Sequence, residues 1–205
     1  MNQMHDFQCP NCGSSVAPAF QTVKMVTCSS CGTSLFLSDQ AAEQAGEQGA
    51  MHDVPMLFGL GSHLRMGRDT YNIVGHARFS YGRGTWDEFC ALNSAGAPLW
   101  ISVDEGDIIL QEEVRRAKWP RYDGYLKLGK VISYDGGGYR VVEDGKGECI
   151  ALRGSFDEPL YVGEIYRYVN LQGENGDLLS AEIDGDQYAW FVGRWFDPFE
   201  VEVLS

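Results

Sequence analysis

The 205-residue chain is long enough for one or two domains with a buried core. Its formal net charge of −13 repels phosphate backbones and argues against a nucleic-acid partner. It has no apolar run of the ~18 residues that a membrane-spanning helix needs, and its first residues lack the basic-then-apolar pattern of a secretory signal. The expected compartment is therefore the cytoplasm, where thiols stay reduced.

The charge is uneven. Residues 1–50 hold one basic residue, Lys24, and four acidic ones. Residues 51–140 balance at 11 of each sign, and residues 141–205 carry 14 acidic and four basic residues. With 25 glycines and 12% aromatic residues, the composition favours short strands joined by tight turns.

In chain order, the first signal is Cys9-Pro10-Asn11-Cys12-Gly13, answered after 15 intervening residues by Cys28-Ser29-Ser30-Cys31-Gly32. A C-x-x-C turn points two sulfurs at one ion, and four thiolates make the closed tetrahedral shell of a structural zinc. Gly13 and Gly32 follow the second cysteine of each pair, where the turn often needs a positive φ. Residues 16–20, 24–27 and 34–37 read as short strands. The pattern predicts a rubredoxin-like zinc ribbon over residues 1–37, holding one Zn²⁺ on Cys9, Cys12, Cys28 and Cys31. His5 is left without a vacancy in that shell. A redox C-x-x-C would open a helix in a βαβ unit, and neither pair does. So small a unit depends on its metal to fold. With one lysine and no arginine, the ribbon suits a structural or protein-docking role.

Residues 38–56 are rich in Ala, Gln, Glu and Gly and read as a linker; Ala41–Gln48 has only an alanine face to offer as a helix. From residue 57 to 205, short runs such as "PLWISV", "GYRVVEDG", "LLSAEI" and "YAWFVGRWF" alternate with Gly, Asp, Asn and Pro. This spacing predicts an all-β barrel or sandwich. Two halves, 57–118 and 122–205, resemble each other. "HLRMG" (63–67) matches "YLKLG" (125–129), and "YNIV" (71–74) matches "YRVV" (139–142). Beyond that point two alignments compete. One sets "FCALNSAGAPLW" (89–100) on "LLSAEIDGDQYAW" (178–190), and the other sets "CALNSAGAPLW" on "CIALRGSFDEPLY" (149–161). The first is preferred, because it puts Trp100 opposite Trp190.

These residues resemble the bacterial domain of unknown function 4178 over about residues 57–204. The resemblance rests on W-D-E-aromatic at Trp86–Phe89, W-I-S-x-x-x-G at Trp100–Gly106 and F-V-G-R-W at Phe191–Trp195, together with the N-terminal ribbon. It implies no established activity and no catalytic residues. It does imply gene neighbours in envelope-stress clusters: small membrane proteins and a spermidine-synthase-like aminopropyltransferase. Association with a partner of either kind is the corresponding expectation.

The remaining motifs read as structure. Asp104-Glu105-Gly106-Asp107 is expected to be a hairpin turn rather than a cation site, since it lacks the ligand pattern of an EF-hand loop. Gly136-Gly137-Gly138 is expected to be a hairpin turn rather than a phosphate loop, having no following Lys-Ser/Thr. Cys90 reads as a small core residue and Cys149, in "GKGECIAL", as a more exposed one; His76 is the one tempting base for either, and His52 and His63 suggest nothing specific. Trp86, Trp100, Trp190, Arg194 and Trp195 are the candidate partner- or ligand-binding residues, because Trp and Arg dominate interface hot spots. In "FVGRWF", Phe191, Gly193 and Trp195 share one face and Val192, Arg194 and Phe196 the other, so the strand is buried on both sides or covered by a partner.

The leading functional expectation is a non-enzymatic zinc-ribbon adaptor that docks a protein partner. The alternative is a domain that binds a polyamine or other small cation in an acidic, Trp-lined cleft. A deep pocket with unpaired carboxylates would favour the second, and flat apolar strands the first.

Overall fold

The structure, a computed structural model, describes residues 6–38, 41–174, 176–185 and 187–204. These residues are nearly all strand, with short 3-10 turns at Arg116–Lys118 and Pro198–Glu200. Among them no helix is long and apolar enough to cross a membrane.

The N-terminal part holds β1 (Phe7–Gln8) paired with β2 (Ser15–Val16), then β3 (Met25–Thr27), β4 (Thr33–Leu37) and β5 (Ala42–Glu47). β4 pairs antiparallel with β3 on one side and β5 on the other. The segment read from sequence as a linker or short alanine helix therefore contains a strand. Its Ala and Gln favour helix, but the free edge of β4 offers a ladder that an isolated alanine face cannot match. The chain beyond β5 is also held. The Leu152 amide donates to the Gln48 carbonyl at 2.8 Å, and the Arg153 guanidinium donates to the carbonyls of Gln48 and Gly49.

The larger part comprises β6 (His63–Met66), β7 (Asp69–Ser80), β8 (Thr85–Asn93), β9 (Pro98–Asp104) and β10 (Asp107–Glu113), then β11 (Val131–Tyr134), β12 (Gly137–Phe156), β13 (Ile165–Gly173), β14 (Leu178–Asp184), β15 (Gln187–Phe196) and β16 (Val201–Val203). β7 to β10 form one antiparallel meander and β12 to β15 another. β10 pairs with β15, and β7 pairs with β12, so the eight strands close into a ring. Closure removes the sheet edges that would otherwise invite foreign strands. The hairpins β9–β10 and β11–β12 turn through Glu105-Gly106 and Asp135-Gly136, each with two positive φ angles as a type I′ turn requires. Both acidic or glycine-rich motifs are thus hairpin turns, as their sequences suggested.

Register fixes how the halves correspond. Tyr71, Ile73 and Gly75 face Asn93, Ala91 and Cys90, with a shift between Ile73 and Gly75. Tyr139, Val141 and Glu143 face Gly173, Leu171 and Asn170, with the same shift between Val141 and Glu143. "YNIV" therefore does correspond to "YRVV". The amides of Gly61 and Ile73 bond to the carbonyls of Ile73 and Ser62, as those of Gly129 and Val141 bond to Val141 and Lys130. "YLKLG" thus corresponds to "LFGLG" (57–61), and not to "HLRMG". Further on, Ala91 pairs with Leu99 as Leu171 pairs with Leu179, and Ile101 with Leu110 as Ala181 with Trp190. Trp190 is the counterpart of Leu110, so neither alignment that sequence offered is the structural one. Matching tryptophans misled because the second half lengthens its first long strand: β12 has 20 residues against 12 in β7. β16, from the C-terminus, returns to pair with β6 of the first half.

Strand alternation gives each ring strand one face inside and one outside. Outside the first half, Phe58, Leu64, Met66, Phe89, Ile101 and Leu110 form one core. Outside the second, Leu126, Ile132, Leu171, Leu179 and Trp190 form another. A third core joins Phe20 and Met25 of the N-terminal part to Phe79, Trp86, Leu152 and Phe156 of the ring. β3 also pairs with the end of β12, through Val26–Ser155 and Met25–Phe156. The ribbon is therefore docked on the ring by a shared core and a shared ladder.

Trp190 is fully buried at the centre of the second core. Trp190→Ala should lower unfolding free energy by about 3–5 kcal/mol in urea titrations, whereas Trp195→Ala, at a 44% exposed position, should change it by no more than about 0.5 kcal/mol.

Candidate functional site

The four N-terminal cysteines converge as their spacing predicts. Their Sγ atoms all lie within 4.8 Å of one another, with Cys9–Cys31 at 3.7 Å and Cys12–Cys28 at 3.8 Å. Two equivalent knuckles produce this. In each, the first cysteine's amide donates to the carbonyl of Ser14 or Thr33, and the glycine amide donates back to the first cysteine's carbonyl. Gly13 and Gly32 both have φ of +75°, which a side chain would strain. The Thr33 hydroxyl lies 3.2 Å from Cys31 Sγ, and the Asn11 amide donates to the same sulfur at 3.6 Å. Bonds from the Thr33 hydroxyl and amide lower the Cys31 thiol to about 6. Burial raises Cys9 to about 11. Four sulfurs at this separation are a donor set for one metal ion. His5 lies outside the described residues.

The glutamates of the second constellation were not among the sequence candidates, although an acidic, Trp-lined cleft was the alternative expectation. Inside the ring is a cavity of about 580 Å³, walled by Trp100, Tyr166, Phe191 and the Glu158–Tyr161 loop. A smaller one of about 180 Å³ adjoins it, and the two share Glu88, Gln111, Tyr166 and Glu182. Glu88 stands on β8, Glu182 on β14, and Glu158 on the loop after β12. Glu88 Oε1 accepts hydrogen bonds from Trp86 Nε1 at 2.9 Å and Ser102 Oγ at 2.8 Å. Among the described residues, no cationic side chain forms an ion pair with Glu88, Glu158 or Glu182. The smaller cavity continues the acidic lining through Asp104, Asp107 and Glu143.

Burial, and then repulsion from neighbouring carboxylates, push these carboxyls up. Glu88 rises to about 7 and Glu158 to about 8, chiefly through burial. Glu182 is raised well above the ordinary carboxylate range by burial and by Glu158 and Glu88. Like charges that cannot all ionise cheaply in one space take up protons or a cation.

The aromatic candidates separate. Trp86 is buried in the ring wall, stacked on Phe79 at 5.2 Å. Trp100 is half-buried, lines the large cavity and stacks on Phe156 at 6.0 Å. Trp195 lines the small cavity from a half-exposed position. Trp190 belongs to the outer core and reaches neither cavity. Arg194 is exposed on the outer face, with its guanidinium 4.5 Å from the centre of the Phe196 ring. β15 thus turns Phe191 and Trp195 to the cavities and Val192 and Phe196 to the outer cores, and it is exposed at Arg194 and Trp195 near its end.

Cys90 lies in the core as expected; Cys149, expected to be more exposed, is buried there too, because β12 pairs with β7 at that point, and burial pushes both thiols up, opposite to what a nucleophile needs. His76 is engaged elsewhere. Its Nε2 is 2.6 Å from Asp87 Oδ1, to which Arg78 Nε also donates at 2.8 Å. Arg78 in turn donates to the His52 carbonyl at 2.7 Å, so this buried cluster clamps the chain entering the ring. Burial raises the Asp87 carboxyl, but the bonds from His76 and Arg78 outweigh it and hold it below the ordinary range.

The sequence did carry a signal for the glutamates. In "WDEFC", Glu88 shares a face with Trp86 and Cys90; in "LLSAEI", Glu182 shares one with Leu178 and Ser180. A carboxylate on the face that alternation assigns to the interior marks a polar lumen rather than a solvated surface.

The sequence model of the family described as "Domain of unknown function (DUF4178)" matches residues 59–198. No curated protein and no solved structure matches the chain.

The cavity glutamates bind protons more tightly folded than unfolded. Their contribution is full below the ordinary carboxylate range and is lost as pH rises through about 7 to 8. The thermal midpoint should therefore rise on acidification from pH 8 to pH 6, and Glu182→Gln should raise it at pH 8 and flatten the profile, as read by calorimetry in low salt. Asp87 has the opposite sign, and its contribution is lost only as pH falls through its depressed value.

Proposed function

This chain belongs to the DUF4178 family of domains of unknown function, and we propose that it is a ligand-binding protein whose ring captures a small organic cation of polyamine type, with a structural zinc ribbon docked beside the site. One observation carries the reading: Glu88, Glu158 and Glu182 line one cavity, and among the described residues none of them is held in an ion pair. The shape adds the class of ligand. Two adjoining cavities with carboxylates along both suit a linear polycation better than a single metal ion. The walls of Trp100, Tyr166 and Phe191 supply the aromatic faces that ammonium groups favour. The large cavity is of the size that small-molecule sites have.

The adaptor reading draws less support. It needs the tryptophans at the surface, and of those proposed only Trp195 is substantially exposed.

Zinc is the metal that four thiolates in a closed shell suit best. Zinc analysis of protein purified from metal-replete medium should give one equivalent per chain. Cys28→Ser should abolish it and loosen residues 6–38 to proteolysis. Zinc-free protein with an intact ribbon would overturn this assignment.

Titration calorimetry with spermidine at low ionic strength should give saturable 1:1 binding. Glu182→Gln should weaken it about tenfold, the loss of one charge-assisted contact. Heat that is non-saturable, or unchanged in Glu182→Gln and Glu88→Gln, would overturn the cavity reading.

A further inference from the structure

The basic side chains are concentrated. Residues 115–140 hold seven of the chain's 16 lysines and arginines against two acidic residues, Asp123 and Asp135. The fold gathers them about one loop and one edge. Arg116 lies over the Trp119 ring at 5.4 Å, and Lys127 and Lys130 flank the Tyr125 ring at 5.8 and 5.7 Å. Arg140 donates to the Gly129 carbonyl at 3.1 Å. Lys118, Arg121 and Lys130 line one open groove. Asp123 and Asp135 line the same groove as counter-charges, and Asp123 pairs with Lys130 at 2.7 Å.

Among these charges the chain exposes apolar side chains. Leu128 is 63% accessible and Tyr125 57%; Val131 is exposed beside Arg140, its cross-strand partner. They are not a loose tail. Leu126 between them is buried in the second core, and Arg167 holds its carbonyl at 3.0 Å. The Gly129 amide donates to the Val141 carbonyl, and the Val141 amide to the Lys130 carbonyl. The loop is built to present Tyr125 and Leu128 outward.

We infer that this loop and the edge strand β11 dock on an anionic phospholipid bilayer, with the lysines and arginines on headgroup phosphates and Tyr125, Leu128 and Val131 entering the interfacial layer. Charge complementarity sets the orientation. The segment carries +5 and the rest of the chain therefore −18, so this is the side that an anionic surface attracts. The exposed aliphatic tips of Leu128 and Val131 select a bilayer over nucleic acid, to which they would offer neither charge nor a stacking plane. These observations are separate from the cavity, so either reading stands without the other.

The test uses the whole protein in co-sedimentation with phosphatidylglycerol-containing vesicles and with vesicles of phosphatidylcholine alone. Binding should occur only to the anionic vesicles and should fall with added salt. The double variant Arg121→Gln, Lys127→Gln should lower the partition coefficient about 25-fold, near fivefold per charge. Leu128→Ser should lower it about tenfold. All three positions are exposed, so the variants should melt with the parent protein. Equal binding to neutral vesicles, binding to neither, or variants that partition like the parent would overturn the inference. So would salt-sensitive self-association without lipid that the same variants abolish, which would assign the surface to a second copy.

Discussion

The molecule depends on the path of one strand. β12 pairs at its start with β11 and along its first half with β13, then with β7, and at its last two residues with β3. Its first stretch belongs to the second half of the ring, its middle closes the ring onto the first half, and its end carries the ribbon. A strand that serves four ladders has to bend. The bend is where the register shifts at Val141/Glu143 and Cys149/Ala151 fall, as bulges commonly do at barrel corners. The extra length of β12 over its counterpart β7 is what lets one half reach the other and the ribbon.

Closure produces the acidic interior. Each half buries its own apolar face outward, against β6 and β16 in one case and β11 with the Val114–Leu126 connector in the other. The faces left over look at each other across the ring. They carry Glu88 and Glu182 from opposite halves, with Glu158 at the loop between β12 and β13. Neither half alone would desolvate its glutamate. Facing each other, the carboxyls cost free energy that a better-packed lumen would not. That cost is the physical ground for reading the space as a site rather than as leftover volume.

The ribbon and the ring are coupled at the same place. The Met25 sulfur accepts from the Leu160 amide, the Lys24 amide donates to the Phe156 carbonyl at 2.9 Å, and Phe36 meets Tyr161 edge-on at 5.2 Å. These contacts hold the loop that carries Glu158 and one wall of the large cavity. Lys24, the one basic residue of the ribbon, is also the charge that partly offsets Glu158. The metal-binding part thus supports the cavity's rim as well as itself.

The cysteine knuckles were legible in the sequence because their chemistry is local. Six consecutive residues fix each turn, and identical spacing in two copies fixes the donor set. The all-β class was equally legible from period-two alternation broken by glycine and aspartate, and so were the two Asp-Gly and Glu-Gly hairpins. The family markers at Trp86–Phe89 and Phe191–Trp195 fell within the matched span 59–198. Tertiary structure decided what distance along the chain concealed. It turned an alanine-rich linker into β5 by offering it an edge, replaced a tryptophan-matching repeat by one set through bulges and ladders, and sent Trp190 to the outer core while bringing Trp100 and Trp195 to the cavities. Above all it placed Glu88, Glu158 and Glu182 together. Each sits in an unremarkable strand or loop, and only closure of the ring through β7–β12 and β10–β15 removes them from water and sets them against one another.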